Sequence, residues 1–146
     1  MAIQEITPPQ AHEVLSADPS AVYIDVRTER EFANGHPQGA VNIPVAFPDP
    51  ARGMMMNPEF VKVVENNFSK EQKLIVGCQA GPRSNAAAGL LQQAGYRDIA
   101  DMIGRFGGMR DAMGNVMAPG WAALGLPVSQ ENGDGVSYRS LAARGK

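Results

Sequence analysis

The stretch that decides the fold is residues 73–88, which read KLIVGCQAGPRSNAAA. Residues 73–77 are almost entirely apolar, and this length and composition predict a buried β-strand. Residues 83–95 are rich in alanine and predict a helix that ends at Gly95. The short connection between them contains Gly81, which is typical of a loop. Cys78 therefore follows directly on a buried strand and precedes a helix by a few residues.

The same alternation of short strands and helices extends outward from this stretch. Strands are predicted at residues 22–26, 41–43, 73–77 and 99–103, and helices at residues 7–15, 28–35, 59–67 and 83–95. Two capping boxes, Thr7 with Gln10 and Thr28 with Glu31, mark the beginnings of the first two helices. Strands that alternate with helices predict an α/β fold with a mostly parallel sheet and helices on both faces.

The remaining segments carry weaker patterns. Residues 44–57, which include three successive methionines, are predicted to form a long loop, and residues 119–125 a short helix that contains Trp121. We expect one domain over residues 5–128 and a mobile C-terminal tail over residues 129–146, with a small helix near Leu141.

Composition excludes several classes of function. The chain has 146 residues and a formal net charge of -2, which gives no electrostatic case for binding nucleic acid. One cysteine and two histidines exclude an internal disulfide and disfavour a metal site, and we expect no cofactor. No apolar run is long enough to cross a membrane. With no signal peptide recognised at Met1, we expect a cytoplasmic protein without membrane partners.

Cys78 is the candidate nucleophile. In open α/β sheets, ligands bind beyond the carboxyl ends of the strands, where Cys78 is predicted to lie. The beginning of the following helix and the cation of Arg83 both favour a thiolate, which is the reactive form of cysteine. The alternative is an ordinary buried cysteine. The order of strand, cysteine, loop and helix favours the nucleophile.

Several spaced blocks of the chain resemble the rhodanese family. They are residues 25–27 (DVR), 31–32 (EF), 35–36 (GH), 39–44 (GAVNIP), 77–84 (GCQAGPRS), 95–96 (GY) and 103–106 (IGRF). The resemblance covers about residues 7–128 and extends to the single-domain thiosulfate sulfurtransferases of plants and bacteria. It implies a rhodanese-like three-layer sandwich and an enzyme that transfers sulfur.

The resemblance also implies a mechanism in two steps. The Cys78 thiolate takes the outer sulfur of a donor such as thiosulfate and becomes a persulfide. An acceptor then removes that sulfur; candidates are cyanide, glutathione, thioredoxin or another protein thiol. Backbone N–H groups that hold the anionic persulfide are predicted in the loop, since Gly81 allows close approach of the backbone while Pro82 offers no N–H. The predicted cradle comprises Gln79, Ala80, Gly81, Arg83 and Ser84. The side chain of Arg83 is also a candidate to bind the oxygens of the donor in a fork.

Three further residues have supporting roles in this prediction. Asp25, a lone acid in an apolar strand, is expected either to hold the loop, for instance through Arg83, or, as we favour, to accept hydrogen bonds from backbone N–H groups. Arg27 is expected to pair with Glu31 four residues on. Arg105 follows a strand and is a candidate for the rim of the pocket.

Two other features have competing interpretations. We favour a turn or packing role for His36 over a catalytic Cys–His pair. The three methionines at 54–56 are predicted to be filler over the core rather than the lining of an acceptor site.

Two other functions compete with sulfur transfer. The first is a cysteine-dependent phosphatase or arsenate reductase of related fold, whose loop has one residue more between cysteine and arginine than the four found here. The second is an interaction module without activity, which typically lacks the cysteine. Thiosulfate, a persulfide and 3-mercaptopyruvate all remain candidate donors. The resemblance to the family favours thiosulfate, because the mercaptopyruvate group usually has a different loop sequence after the cysteine.

Overall fold

The computed structural model describes residues 3–51, 53–77, 83–102, 109–110, 113, 116–118 and 120–143. The helices in these residues are α1 (Pro8–Ala17), α2 (Glu29–Asn34), α3 (Phe60–Asn67), α4 (Arg83–Gln93) and α5 (Tyr138–Ala142). The strands of the main sheet and its surroundings are β1 (Gln4–Ile6), β2 (Val22–Asp25), β3 (His36–Pro37), β4 (Val41–Asn42), β5 (Ala46–Asp49), β6 (Gly53–Met56), β7 (Leu74–Gly77), β8 (Ile99–Met102), β9 (Met109–Arg110), β10 (Val116–Ala118) and β11 (Val128–Ser129).

A five-stranded parallel sheet forms the centre of the molecule, in the order β1-β8-β7-β2-β4. The register places Asp25 of β2 beside Gly77 of β7 on one side and Asn42 of β4 on the other. Val76 of β7 lies beside Asp101 of β8. Because all these strands are parallel, their carboxyl ends meet at one edge, as the alternation of strands and helices predicts.

Side chains alternate between the two faces of this sheet and form two buried clusters. Ile24 and Val76 belong to the cluster that also contains the buried side chains of α3, α4 and α5. Tyr23 and Ile75, the neighbouring residues, belong to the cluster of α1, α2 and Trp121. Helices therefore cover both faces, and the fold is the predicted three-layer α/β sandwich.

Both predicted capping boxes are present. The hydroxyl of Thr7 accepts from the backbone N–H of Gln10, and that of Thr28 accepts from the backbone N–H of Glu31. In each box the side chain at the third helical position accepts in return from the backbone of the cap residue. Gly35 caps the end of α2, and its φ of 146° favours glycine.

The prediction of a long loop over residues 44–57 is wrong for most of its length. Residues Ala46–Asp49 and Gly53–Met56 pair as the antiparallel hairpin β5–β6. Methionine, proline and glycine are not strong strand formers, which is why the composition of this segment favoured a loop. The next helix begins at Phe60 rather than at the predicted Glu59. Asn57 lies before it, and its side chain accepts a hydrogen bond from the backbone N–H of Glu59.

The C-terminal residues that the structure describes contact the domain at several points. β11 pairs with β3, and α5 is the predicted small helix near Leu141, whose side chain is buried in the larger cluster. The division into a domain at 5–128 and a mobile tail at 129–146 stays a prediction. Residues 121–125 form turns instead of the predicted helix, although Trp121 is buried as expected for a core residue.

Among the described helices, none is both long and apolar enough to cross a membrane.

Candidate functional site

The candidate site lies where the carboxyl ends of β2 and β7 meet the beginning of α4. Gly77 is the last residue of β7, and Arg83 is the first residue of α4. Five residues, including Cys78, connect them and lie outside the described residues. Predictions about Cys78, Gln79, Ala80, Gly81 and Arg105 therefore stay predictions. The structure describes what surrounds both ends of this connection.

Gly77, the residue before Cys78, is held tightly at the sheet edge. Its carbonyl accepts a hydrogen bond from the backbone N–H of Val26 at 3.0 Å. A Cβ atom at this position would lie 1.8 Å from the hydroxyl oxygen and 2.5 Å from Cζ of Tyr23, which is itself buried. These distances are far below contact distance, so the position before Cys78 admits no side chain unless Tyr23 or the strand moves.

Asp25 and Arg27 form a buried ion pair at the end of β2. Oδ2 of Asp25 accepts from Nη2 of Arg27 at 2.7 Å, and Oδ1 accepts from the backbone N–H of Arg27 at 3.0 Å. Nη2 also donates to the carbonyl of Gly35 at 2.6 Å, which ties the end of β2 to the end of α2. Burial opposes the charge of Arg27, but Asp25 outweighs it and raises the pKa of the guanidinium above its ordinary value.

This geometry decides between the two predicted partners of Asp25. The carboxylate accepts from a backbone N–H, as the favoured interpretation expects, and its ion-pair partner is Arg27 rather than Arg83. Arg27 in turn pairs with Asp25 instead of the predicted Glu31. A role for Asp25 or Arg27 in supporting the reaction stays a prediction.

Asn42 supports the backbone of residues 25–27 at the end of β2, and the sequence-based predictions do not single it out. Its side-chain Nδ2 donates to the carbonyls of Asp25 and Arg27, each at 3.0 Å. Its backbone N–H donates to the carbonyl of Val136 in the C-terminal segment at 2.9 Å. An asparagine between valine and isoleucine in a predicted strand is a weak signal for such a role, because buried polar residues in strands need partners.

Arg83 pairs with Glu31 across 52 positions of sequence. Nη1 of Arg83 donates to Oε1 of Glu31 at 2.7 Å, and Nη2 donates to Oε2 at 3.1 Å. Partial burial raises the pKa of Glu31, but hydrogen bonds from Arg83 and Thr28 outweigh it and bring the pKa down to about 2. Arg83, whose side chain is predicted to bind the donor in a fork, therefore already directs both terminal nitrogens at a carboxylate.

Ser84 and Asp101 are buried near the same edge. Ser84, a predicted member of the cradle, follows Arg83 in the first turn of α4 and is fully buried. Asp101, which sequence reasoning missed, is a buried acid at the penultimate position of β8. The signal that could have found it is the one that selected Asp25, namely a single carboxylate within an apolar strand.

His36 is a packing residue, as predicted. Its ring is buried and stacks on Phe32 with the ring centroids 3.6 Å apart. Burial lowers the pKa of His36, against the opposing effect of its hydrogen bond to Phe32. Since a carbonyl oxygen can only accept, Nδ1 donates to the carbonyl of Phe32 at 2.8 Å.

The hairpin β5–β6, which contains the three methionines, begins near the carboxyl end of β2. The backbone N–H of Val45 donates to the carbonyl of Val26, and the N–H of Asn57 donates to the carbonyl of Val45. The side chains of Met55 and Met56 are 46% and 51% exposed, so the interpretation as filler over the core is wrong for these two. Their exposure leaves a role as lining for an acceptor open as a prediction.

Comparison with known proteins finds relatives that agree with one another in family. The sequence matches the rhodanese-like domain family over residues 7–111. It is 38% identical over 118 residues to thiosulfate sulfurtransferase 16, chloroplastic, of Arabidopsis thaliana, and the match spans 81% of this chain and 86% of the relative. It is 32% identical to thiosulfate sulfurtransferase GlpE of Haemophilus influenzae (strain 86-028NP), over 88% of this chain and 96% of the relative.

Longer relatives and a solved structure complete the comparison. The senescence-associated protein DIN1 of Raphanus sativus is 38% identical over 84 residues, and the match spans only 45% of its length. The crystal structure of Rv0390 from M. tuberculosis aligns with a TM-score of 0.73 at 33% identity, covering 90% of this chain and all of that one. With a family match over most of its length, the chain belongs to the rhodanese-like domain family.

Proposed function

We propose that this protein is a thiosulfate sulfurtransferase whose nucleophile is Cys78. The observation that carries the proposal is the position of Cys78 in the chain, directly after the end of β7 and five residues before α4 begins. In parallel α/β sheets this is the edge at which ligands bind. Relatives at 38% and 32% identity that bear the name thiosulfate sulfurtransferase support the choice of reaction.

The first step transfers one sulfur atom to the enzyme. The Cys78 thiolate attacks the outer sulfur of thiosulfate, and a sulfur–sulfur bond forms between them. The original bond of the donor breaks, and sulfite leaves with its electron pair. The outer sulfur now carries the negative charge of a persulfide, so atoms and electrons balance without an oxidant or a metal.

Two groups favour the anionic sulfur at this place. Helix α4 has 11 residues, and the positive end of its dipole lies at the residues that follow the loop. Backbone N–H groups of the predicted cradle supply further donors, of which Arg83 and Ser84 are described. A thiolate held in this way reacts at neutral pH and in a reducing compartment such as the cytoplasm.

The second step requires an acceptor from outside the chain. Cys78 is the single cysteine of the sequence, so no internal thiol can form a disulfide and release the sulfur. An external thiolate or cyanide attacks the outer sulfur of the persulfide, and the Cys78 thiolate leaves. The acceptor class is therefore a thiophilic nucleophile.

Mass spectrometry after exposure to thiosulfate tests the proposal. We expect the intact protein to gain one sulfur atom, located on Cys78, and to lose it when cyanide is added. Cys78→Ser is expected to fold normally and to gain no sulfur. Persulfide formation in that variant, or turnover of an aryl phosphate by the wild type with no reaction with thiosulfate, would overturn the proposal.

A further inference from the structure

The carboxylate of Glu31 serves two elements at once. Oε1 accepts from the backbone N–H and the hydroxyl of Thr28, both at 3.1 Å, which closes the cap of α2. From the other side, Nη1 and Nη2 of Arg83 donate to Oε1 and Oε2 at 2.7 and 3.1 Å. Two parallel hydrogen bonds of this kind fix the orientation of a guanidinium as well as its position.

This pairing changes what Arg83 offers to a donor. The edge of the guanidinium that carries both terminal nitrogens, one of the two edges able to form a fork with an oxyanion, is turned toward Glu31. Glu31 is ionised at neutral pH, so the pair carries no net charge. A doubly charged donor that approaches the beginning of α4 therefore meets a cation whose charge is already offset.

We propose that Glu31 is a positioning residue for sulfur transfer. It holds the guanidinium of Arg83 in one orientation and offsets its charge. In this way it limits the preference of the site for a doubly charged donor over a singly charged one. This inference rests on the proposed function. It concerns the charge of the donor rather than the identity of the nucleophile, and it assigns to Glu31 an effect that acts through Arg83 without contact with the reacting sulfur.

Two donors that differ by one charge supply the measurement. Thiosulfate is a dianion, and methanethiosulfonate, in which a methyl group replaces one oxygen, is a monoanion. Each gives the same persulfide on Cys78: the bond from Cys78 to the outer sulfur forms, the donor's sulfur–sulfur bond breaks, and sulfite or methanesulfinate leaves with the electron pair. With cyanide as a common acceptor, kcat and KM are measured for both donors.

The chain itself suggests the substitution. In the capping box of α1, Gln10 occupies the position that Glu31 has in α2, and its Oε1 accepts from the backbone N–H of Thr7 at 2.9 Å. Glu31→Gln therefore keeps the cap of α2 while removing the charge that faces Arg83. Arg83→Gln breaks the same ion pair from the other side and leaves Glu31 uncompensated.

The two variants are expected to move donor preference in opposite directions. Glu31→Gln shifts the ratio of kcat/KM toward thiosulfate by about threefold to fivefold, mainly through a lower KM, since a part-exposed charge interaction is worth up to about fivefold. Arg83→Gln shifts the ratio by a similar factor toward methanethiosulfonate. In the double variant, the ratio returns close to the wild-type value.

A purely structural role for the ion pair gives a different pattern. Both single variants would then lose the same connection between α2 and α4, and activity would fall equally with both donors. An unchanged ratio, or a shift in the same direction in both variants, overturns the inference. Thermal unfolding shows whether each variant folds. If one variant does not fold, the direction in which the donor ratio of kcat/KM changes in the other still tests the inference.

The same experiment separates the two proposals. If thiosulfate places no sulfur on Cys78 of the wild-type protein, the proposed function fails. If the persulfide forms and the donor ratio does not respond to Glu31→Gln, the positioning role fails and the proposed function stands.

Discussion

At the scale of single residues, Gly77 shows how the fold constrains the backbone just before Cys78, the proposed nucleophile. The space that a side chain would need is filled by the hydroxyl of Tyr23, and Tyr23 is packed in the core on the side of α1 and α2. Since the strand cannot move without disturbing its neighbours on both sides, the backbone just before Cys78 is fixed by packing.

Gly77→Ala is therefore expected to lower the free energy of unfolding by roughly 1–3 kcal/mol through overpacking. Urea unfolding followed by circular dichroism measures the change. Gly89→Ala is the matched control, because a Cβ atom there meets nothing within 4 Å and alanine favours a helix. Equal stability of the Gly77 variant and the wild type would contradict the packing argument.

At this scale the sequence predicts the right residues more often than the right partners. Asp25 and Arg83 stand out as charges beside apolar strands or loops. The spacing of Arg27 and Glu31 favours a local ion pair, but both have other partners in the structure. A pair that spans 52 positions depends on the tertiary fold, which brings α2 and the start of α4 together from opposite faces of the sheet, and no local spacing encodes that arrangement.

At the scale of elements, the two capping boxes were predictable and the hairpin was not. A capping box is a local pattern of four residues, so its chemistry is readable in Thr7 and Gln10 or in Thr28 and Glu31. The hairpin β5–β6 is formed by residues whose strand preference is low, and its pairing depends on tertiary position.

The ion pair between α2 and α4 predicts a dependence of stability on pH. The pKa of Glu31 is lowered from 4.5 to about 2 in the folded protein, so its contribution to stability is fully present above pH 4.5 and is lost as the pH falls toward 2. Unfolding by urea at several pH values in this interval measures the loss. Glu31→Gln is expected to show a smaller decrease in stability over the same interval, and parallel curves for the two proteins would contradict the assignment.

At the scale of the whole molecule, the C-terminal segment contributes to the core on one face of the sheet. Leu141 is buried in the same cluster as Val76 and the apolar residues of α3 and α4. Asn67 donates to the carbonyl of Leu141 at 3.1 Å, and Asn57 donates to the hydroxyl of Tyr138 at 3.1 Å. These contacts join α5 to the last residue of α3 and to the segment that precedes α3.

Leu141→Ala is expected to destabilise the protein by about 2–4 kcal/mol, because it leaves a cavity in the cluster. Leu124→Ala provides the comparison, since Leu124 is 41% exposed and its truncation is expected to cost less than about 0.5 kcal/mol. Both values follow from chemical denaturation. A Leu141 variant as stable as the Leu124 variant would show that α5 does not contribute to the core in solution.

The hydrogen bond from Asn42 to Val136 has a consequence beyond stability. β4 is the outermost strand on its side of the sheet, and an uncovered strand edge is a template on which other chains can assemble. At this edge the C-terminal segment occupies the backbone N–H of Asn42, which donates to the carbonyl of Val136. Truncation of the C-terminal segment would therefore expose the edge of β4. We expect such a variant to aggregate as well as to have a lower free energy of unfolding.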